Sequence, residues 1–199
     1  MSAAAPEPPR EVRVALLRVV RATREAVAPY GVLLDAEVPN PGLPIPYYAG
    51  SVVEGRPLPF VCPAEPVLRV SRVGPRAEPA AWLERHLRVS QGFVALGAAP
   101  FTIVVGAPTH EDGEGRDLPD VRRLAAIEVP PGSGVLLHVG TWHEFPLALG
   151  APATVLTLNS AEVVDALTHA SAPGELDDGD VRKIEVARRL GVRIELTRG

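Results

Sequence analysis

Trp82-Leu83-Glu84-Arg85-His86-Leu87-Arg88-Val89-Ser90-Gln91-Gly92-Phe93 is the stretch whose reading decides the fold. Side chains along a strand alternate faces, so an extended first half sends Glu84 and His86 to one side and Arg85 to the other. A short turn at 87–90 then returns the chain and sets Gln91 beside them. A second stretch runs Pro131-Gly132-Ser133-Gly134-Val135-Leu136-Leu137-His138-Val139-Gly140-Thr141-Trp142-His143. It reads as a glycine-rich turn, an apolar strand and a closing imidazole. If His143 arrives beside the first stretch, one small pocket holds two imidazoles, a carboxylate and an amide. That is a metal or acid–base site, and little else in the chain competes with it.

The surroundings favour strands. The 199 residues predict one domain, large enough to bury a proper core. The chain has 22 prolines and 18 glycines, which punctuate short apolar or alternating segments and suit strands joined by turns. Strands are expected at 11–19, 31–36, 67–73, 80–86, 91–97, 101–106, 123–128, 134–138 and 153–158. Thr23 caps a short helix over 24–28. A second helix is expected over about 178–190, capped by Asp178 or Asp180. It would carry Val181, Ile184, Ala187 and Leu190 on one face and stop at Gly191. Residues 1–9 read as a disordered tail, 10–199 as the domain, and 170–179 as a surface loop. Many short antiparallel strands point to a sandwich or barrel whose mouth can take a small ligand.

Charge and cysteine content narrow the function classes. A net charge of −4 argues against a nucleic-acid binder, which presents a basic face. The single Cys62 excludes an internal disulfide framework and a cysteine-built zinc site. It has no basic neighbour in sequence to activate it. No stretch reads as a signal peptide or approaches the ~20 apolar residues of a membrane span. The expected setting is soluble, reducing and cytoplasmic.

The two stretches resemble the ureidoglycolate lyase family, a branch of the cupin superfamily. The resemblance is carried by Glu84-Arg85-His86 with Gln91 and Phe93, by Phe101-Thr102-Ile103-Val104-Val105, and by Gly134-Val135-Leu136-Leu137-His138. Trp142-His143, Pro146, Thr157-Leu158-Asn159 and the opening Pro29-Tyr30-Gly31 extend it over roughly residues 23–165, leaving 166–199 as a C-terminal extension. It implies a mainly β, cupin-like antiparallel barrel or jelly-roll sandwich with a few short helices and a C-terminal helix. In cupin register Glu84, His86, Gln91 and His143 stand where metal ligands stand, which implies nickel or another divalent ion. A neutral amide is a poorer ligand than a carboxylate, so this set is weaker than three histidines and an acid.

The resemblance further implies cleavage of ureidoglycolate to glyoxylate and urea, a step of allantoin degradation in purine metabolism, by a homodimer. His86, His143 and Glu84 are the catalytic candidates. The histidines act as ligands or as base and acid, because an imidazole pKa of ~6.5 lies near working pH. Gln91, His138 and Trp142 are substrate-binding candidates, with Trp142 more a core or pocket-wall aromatic than a chemical participant. Three departures stand out. Ile45-Pro46-Tyr47-Tyr48-Ala49 replaces an Arg-Tyr-His-Asp type run, Glu144 stands where a second histidine often follows, and Asn159 stands where an acid is common. A basic residue is therefore missing where a substrate carboxylate would be recognised, and Arg56, Arg69 and Arg72 are the candidates to replace it. Two alternatives remain: a cupin enzyme of different chemistry on another small carboxylate, and a non-catalytic ligand-binding cupin. The acidic run His110-Glu111-Asp112-Gly113-Glu114-Gly115-Arg116-Asp117 lacks calcium-loop spacing and reads as a solvated hairpin.

Overall fold

Short apolar runs bounded by proline and glycine become strands. The computed structural model describes residues 12–38, 43, 45, 47, 51–76, 80–110 and 117–198. The expected N-terminal tail, most of the 45–49 run and residues 111–116 of the acidic hairpin lie outside the described residues. The first strands are β1 (Arg13–Arg21), β2 (Gly31–Leu34), β3 (Pro66–Val73), β4 (Trp82–Arg85), β5 (Gly92–Ala95) and β6 (Phe101–Gly106). They are followed by β7 (Leu124–Val129), β8 (Gly134–Leu137), β9 (Trp142–His143) and β10 (Ala153–Ser160). The last three are β11 (Leu176–Asp178), β12 (Val181–Glu185) and β13 (Val192–Thr197). The helices are short: α1 (Arg24–Val27), α2 (Ala161–Thr168) and α3 (Val186–Leu190). Thr23 caps α1 as expected, its hydroxyl accepting from the Ala26 amide at 3.1 Å.

The strands form two sheets of a cupin-like sandwich. One holds eight strands in the order β11-β12-β4-β9-β6-β7-β1-β13, and the other five in the order β2-β8-β5-β10-β3. Phe93, Val135 and Val155 of the smaller sheet pack against Phe101, Ile103 and Ile127 of the larger. The larger sheet buries its other face too, over Leu83, Val104, Trp142, Ile184 and Ile194. With both faces covered, β6 is buried at all six residues, and its sequence is apolar at every position but Thr102 rather than an alternation. Gly31 lets β2 close on β8, since a Cβ there would lie 2.3 Å from the Leu136 carbonyl oxygen.

The structure corrects three expectations. Pairing is not uniformly antiparallel, because β1 lies parallel to both β7 and β13. A long crossover separates β1 from each neighbour, so no tight hairpin imposes the antiparallel direction. The turn at 87–90 does not fold β5 back on β4: β4 belongs to the eight-stranded sheet and β5 to the five-stranded one. The chain crosses between the sheets there, so Gln91 arrives from the opposite wall.

The third correction is the C-terminal helix over 178–190, which is a strand, β12, followed by the five-residue α3. Val181 and Ile184 are both buried, three apart as on a helix, but they serve different cores. Val181 packs with Val89 and Val163, and Ile184 with Leu83 and Trp142. A strand buried on both faces thus imitated helical spacing. Gly191 does end α3, in the left-handed region at φ 64°. Helix α2, unexpected from the sequence, starts at Ser160, whose hydroxyl accepts from the Val163 amide at 3.4 Å.

The segment after 174 is therefore part of the core. Val181, Ile184, Val186, Val192 and Ile194 are each no more than 3% exposed. Burying one such side chain contributes about 1.5–3 kcal/mol, so the five together match the ~5–15 kcal/mol by which a domain is stable. Truncation after Gly174 is expected to abolish the cooperative thermal transition followed by circular dichroism. A truncated chain that melts within a few degrees of the full one would contradict this.

Candidate active site

The site is built on one row of the eight-stranded sheet. Lys183 of β12 lies opposite Glu84 of β4, Glu84 opposite His143 of β9, and His143 opposite Val105 of β6. These residues face the space between the sheets, and the alternation sends Arg85, Trp142 and Arg182 to the other side. His86, just past β4, joins the inward group, its ring centroid 5.3 Å from that of His143. Gln91 reaches in from the opposite wall with its Oε1 3.2 Å from His143 Nε2. All four are at least 98% buried.

Backbone carbonyls fix both imidazoles. His86 Nδ1 lies 2.9 Å from the Asp180 carbonyl oxygen, and His143 Nδ1 lies 3.0 Å from that of Thr141. Each Nδ1 therefore carries the proton and donates it, leaving Nε2 to face Glu84. His86 Nε2 is buried and has no hydrogen-bond partner. For His143 a chain of amides sets what Nε2 meets. The Ser160 amide donates to Asn159 Oδ1 at 2.8 Å, so Asn159 Nδ2 is the end that donates to Gln91 Oε1, at 3.1 Å. His143 thus has an acceptor oxygen at each nitrogen.

Glu84 stands between the rings. Its Oε1 lies 3.6 Å from His143 Nε2 and 3.9 Å from His86 Nε2, while its Oε2 takes the Lys183 ammonium at 2.7 Å. Burial by itself would raise this carboxyl's pKa, but Lys183 and the two imidazoles outweigh it and hold Glu84 well below the ordinary carboxylate range. For His86 burial dominates, and it pushes the imidazole below its ordinary value against the pull of Glu84. Candidate ligand atoms of Glu84, His86 and His143 lie within 4.8 Å of one another, so the three could hold a metal ion. The partnerless His86 Nε2, the turned-in Glu84 Oε1 and the facing Gln91 oxygen are all electron-pair donors, and such a set fits a divalent cation.

Other expected residues lie elsewhere. His138 is exposed, outside this buried group. Trp142 is buried on the opposite face, where the Arg85 guanidinium sits 4.8 Å over its ring and its Nε1 donates to Thr109 Oγ1 at 3.0 Å. It packs in the second core, apart from the carboxylate–imidazole group. Glu144 is buried too. Its carboxylate accepts the Trp82 and Phe145 amides at 3.1 and 2.8 Å, with Arg76 3.5 Å away. Burial raises its pKa against the pull of Arg76.

Lys183 and Asp180 were not foreseen, because the segment carrying them read as a surface helix. Asp180 is buried, and its carboxylate accepts the amides of Leu87 and Arg88 at 2.7–3.0 Å, which pins the crossing that delivers Gln91. Lys183 also lines a cavity of about 430 Å³ with Trp82, Leu167 and Leu176. The signal that existed in the sequence was chemical: Lys183 is the chain's one lysine among its 20 basic residues, set between apolar strand positions.

Fold and site together define a cupin-like β sandwich with a buried carboxylate–imidazole centre. The ureidoglycolate lyase family model matches residues 14–174, and the chain belongs to that family. It is also similar to a ureidoglycolate lyase of Burkholderia cepacia, 37% identical over 142 residues that make up 68% of this chain and 75% of the relative. Asp180 and Lys183 lie beyond the matched residues.

The lowered Glu84 has a consequence in acid. Its contribution to stability is present above the unfolded carboxyl value of ~4.3 and is lost as pH falls through the depressed folded value. Removing the ammonium beside it raises that folded value. Lys183→Met is expected to move the midpoint of acid unfolding to higher pH, read by circular dichroism, and an unmoved midpoint would show that Lys183 does not hold the charge.

Proposed function

We propose that the protein is a ureidoglycolate lyase, cleaving ureidoglycolate to glyoxylate and urea in the degradation of allantoin. Membership of the family supports the reading, and the observation that carries it is the placement of two fixed imidazoles on either side of Glu84, one with an open Nε2 and the other facing Gln91. Buried His86 is neutral, with its basic Nε2 free, while His143 faces acceptors at both nitrogens. In the reaction His86 Nε2 takes the proton of the carbinol hydroxyl, and its oxygen closes to a carbonyl as the carbon–nitrogen bond breaks. The departing nitrogen collects the proton of His143 Nε2 and leaves as urea. Glu84 stabilises the imidazolium forms, Lys183 keeps Glu84 ionised and turned inward, and Gln91 orients the polar end of the substrate. In a metal-dependent form of the reaction, Glu84, His86 and His143 would instead hold a divalent ion, nickel or another, the imidazoles through the same Nε2 atoms, with Gln91 beside it. Such an ion would acidify the hydroxyl.

The wider proposal is a single cupin domain spanning 10–199, acting in the cytoplasm as a homodimer on a small carboxylate, with no nucleic-acid or membrane partner. Two features support it. Among the described residues no helix is long and apolar enough to cross a membrane. Leu68 and Val70 are about two-thirds exposed on β3, an edge strand that offers a partner both apolar surface and free backbone.

The test is glyoxylate release from ureidoglycolate by purified protein, measured after chelation and again with nickel or manganese supplied. Wild-type protein is expected to release it, and His86→Ala and His143→Ala to lose activity by about 10²–10⁴-fold, the usual worth of a placed acid or base. No glyoxylate above background from the wild type with metals supplied would sink the proposal.

A further inference from the structure

Two more polar atoms inside the sandwich lack partners. Arg69 and Thr157 lie directly opposite one another on β3 and β10, and Thr157 lies opposite Phe93 on β5. Along β10 residues 153, 155, 157 and 159 are buried, so Thr157 shares the inward face with Asn159, which holds Gln91. Arg69 occupies the matching half-buried face of β3, with exposed Leu68 and Val70 on either side. Arg69 Nε and Thr157 Oγ1 are buried without a hydrogen bond, as is His86 Nε2. Thr157 itself is fully buried.

Unpaired buried polar groups oppose folding, which gains nothing from them. An arginine Nε and a hydroxyl left open on opposed strand positions, two residues from the Gln91–Asn159 pair, match the donors that a carboxylate accepts. The other two arginine candidates do not share this setting. Arg72 is exposed on the outer face of β3, and Arg56 lines a separate cavity with Val32, Leu34 and Leu58.

We infer that Arg69 and Thr157 form the subsite that receives the substrate's carboxylate, so that its reacting carbon faces His86 and His143. The inference rests on the proposed lyase reading for the identity of the substrate, and on the two unpaired groups alone for its chemical class, a small carboxylate. Arg69 supplies charge and a planar fork, and Thr157 a single hydroxyl donor. Both are specificity-determining rather than proton-transferring.

Calorimetric titration with oxalurate, a stable carboxylate analogue of ureidoglycolate, and with its uncharged amide oxaluramide tests this. Arg69→Met is expected to weaken oxalurate by about 30-fold or more while changing oxaluramide by less than about threefold, the loss expected of a charge-assisted contact. Arg69→Lys should restore part of that loss, and nickel affinity should stay at the wild-type value in all variants. Thr157→Val carries a second signature, because removing an unsatisfied hydroxyl raises Tm by about 1–4 °C while oxalurate binding weakens. Oxalurate binding unchanged in Arg69→Met, equal losses for both ligands, or a wild type that binds neither would each overturn the subsite. The lyase reading fails separately. If the wild type releases no glyoxylate yet Arg69→Met still separates oxalurate from oxaluramide, the subsite stands and the reaction does not. If glyoxylate is released with the same KM in Arg69→Met, the reaction stands and the subsite falls.

Discussion

The buried carboxylate of Glu84 is the constraint around which the rest is arranged. A charge at that depth survives only if opposite charge and hydrogen-bond donors surround it. The surroundings come from three strands far apart in sequence: Lys183 on β12, His143 on β9 and His86 at the end of β4. The register of the sheet is thereby tied to the site. A one-residue slip of any of these strands would turn its polar residue into the second core and bring an apolar or bulky one inward.

Asp180 does for the backbone what Lys183 does for the charge. Its carboxylate satisfies two amides at the crossing between sheets, and its carbonyl oxygen sets the tautomer of His86. Removing either residue would act on the chemistry through other groups, without a direct contact to a reacting atom. The two lie in a segment beyond the family match, yet that segment supplies a strand to the same sheet and apolar side chains to two cores.

Much of this was legible in the sequence. Period-two spacing put Glu84 and His86 on one face and Arg85 on the other, and β6 announced itself as a core strand by an apolar run broken only at Thr102. The convergence of His143 on that face came from the family register, while Gln91 was expected from a local turn and arrives instead from the opposite sheet. What stayed hidden had physical causes. The direction of β1 relative to β7 and β13 leaves no mark on its own residues. Val181 and Ile184 carry helical spacing because two cores lie on opposite sides of β12. His138, two positions beyond Leu136 in an apolar stretch, looked interior, but the strand ends at Leu137 and the chain turns it outward. Lys183 became visible only once β12 was a strand, since pairing with β4 is what aims it at Glu84.

The parallel pairing of β1 with β13 bears on how the chain is made. On a ribosome β1 emerges early, and β13 follows only after almost all the other strands have been synthesised, at a pace of about 5–20 residues per second. Until then β1 presents one open edge and the apolar face that β13 will help to cover. Lys183 and Asp180 are made only after β10, so the nascent protein holds all five strands of the smaller sheet before it has a site. A polypeptide stalled near residue 175 would expose the apolar residues that β12 and β13 cover, and would be prone to aggregate and too incomplete to act.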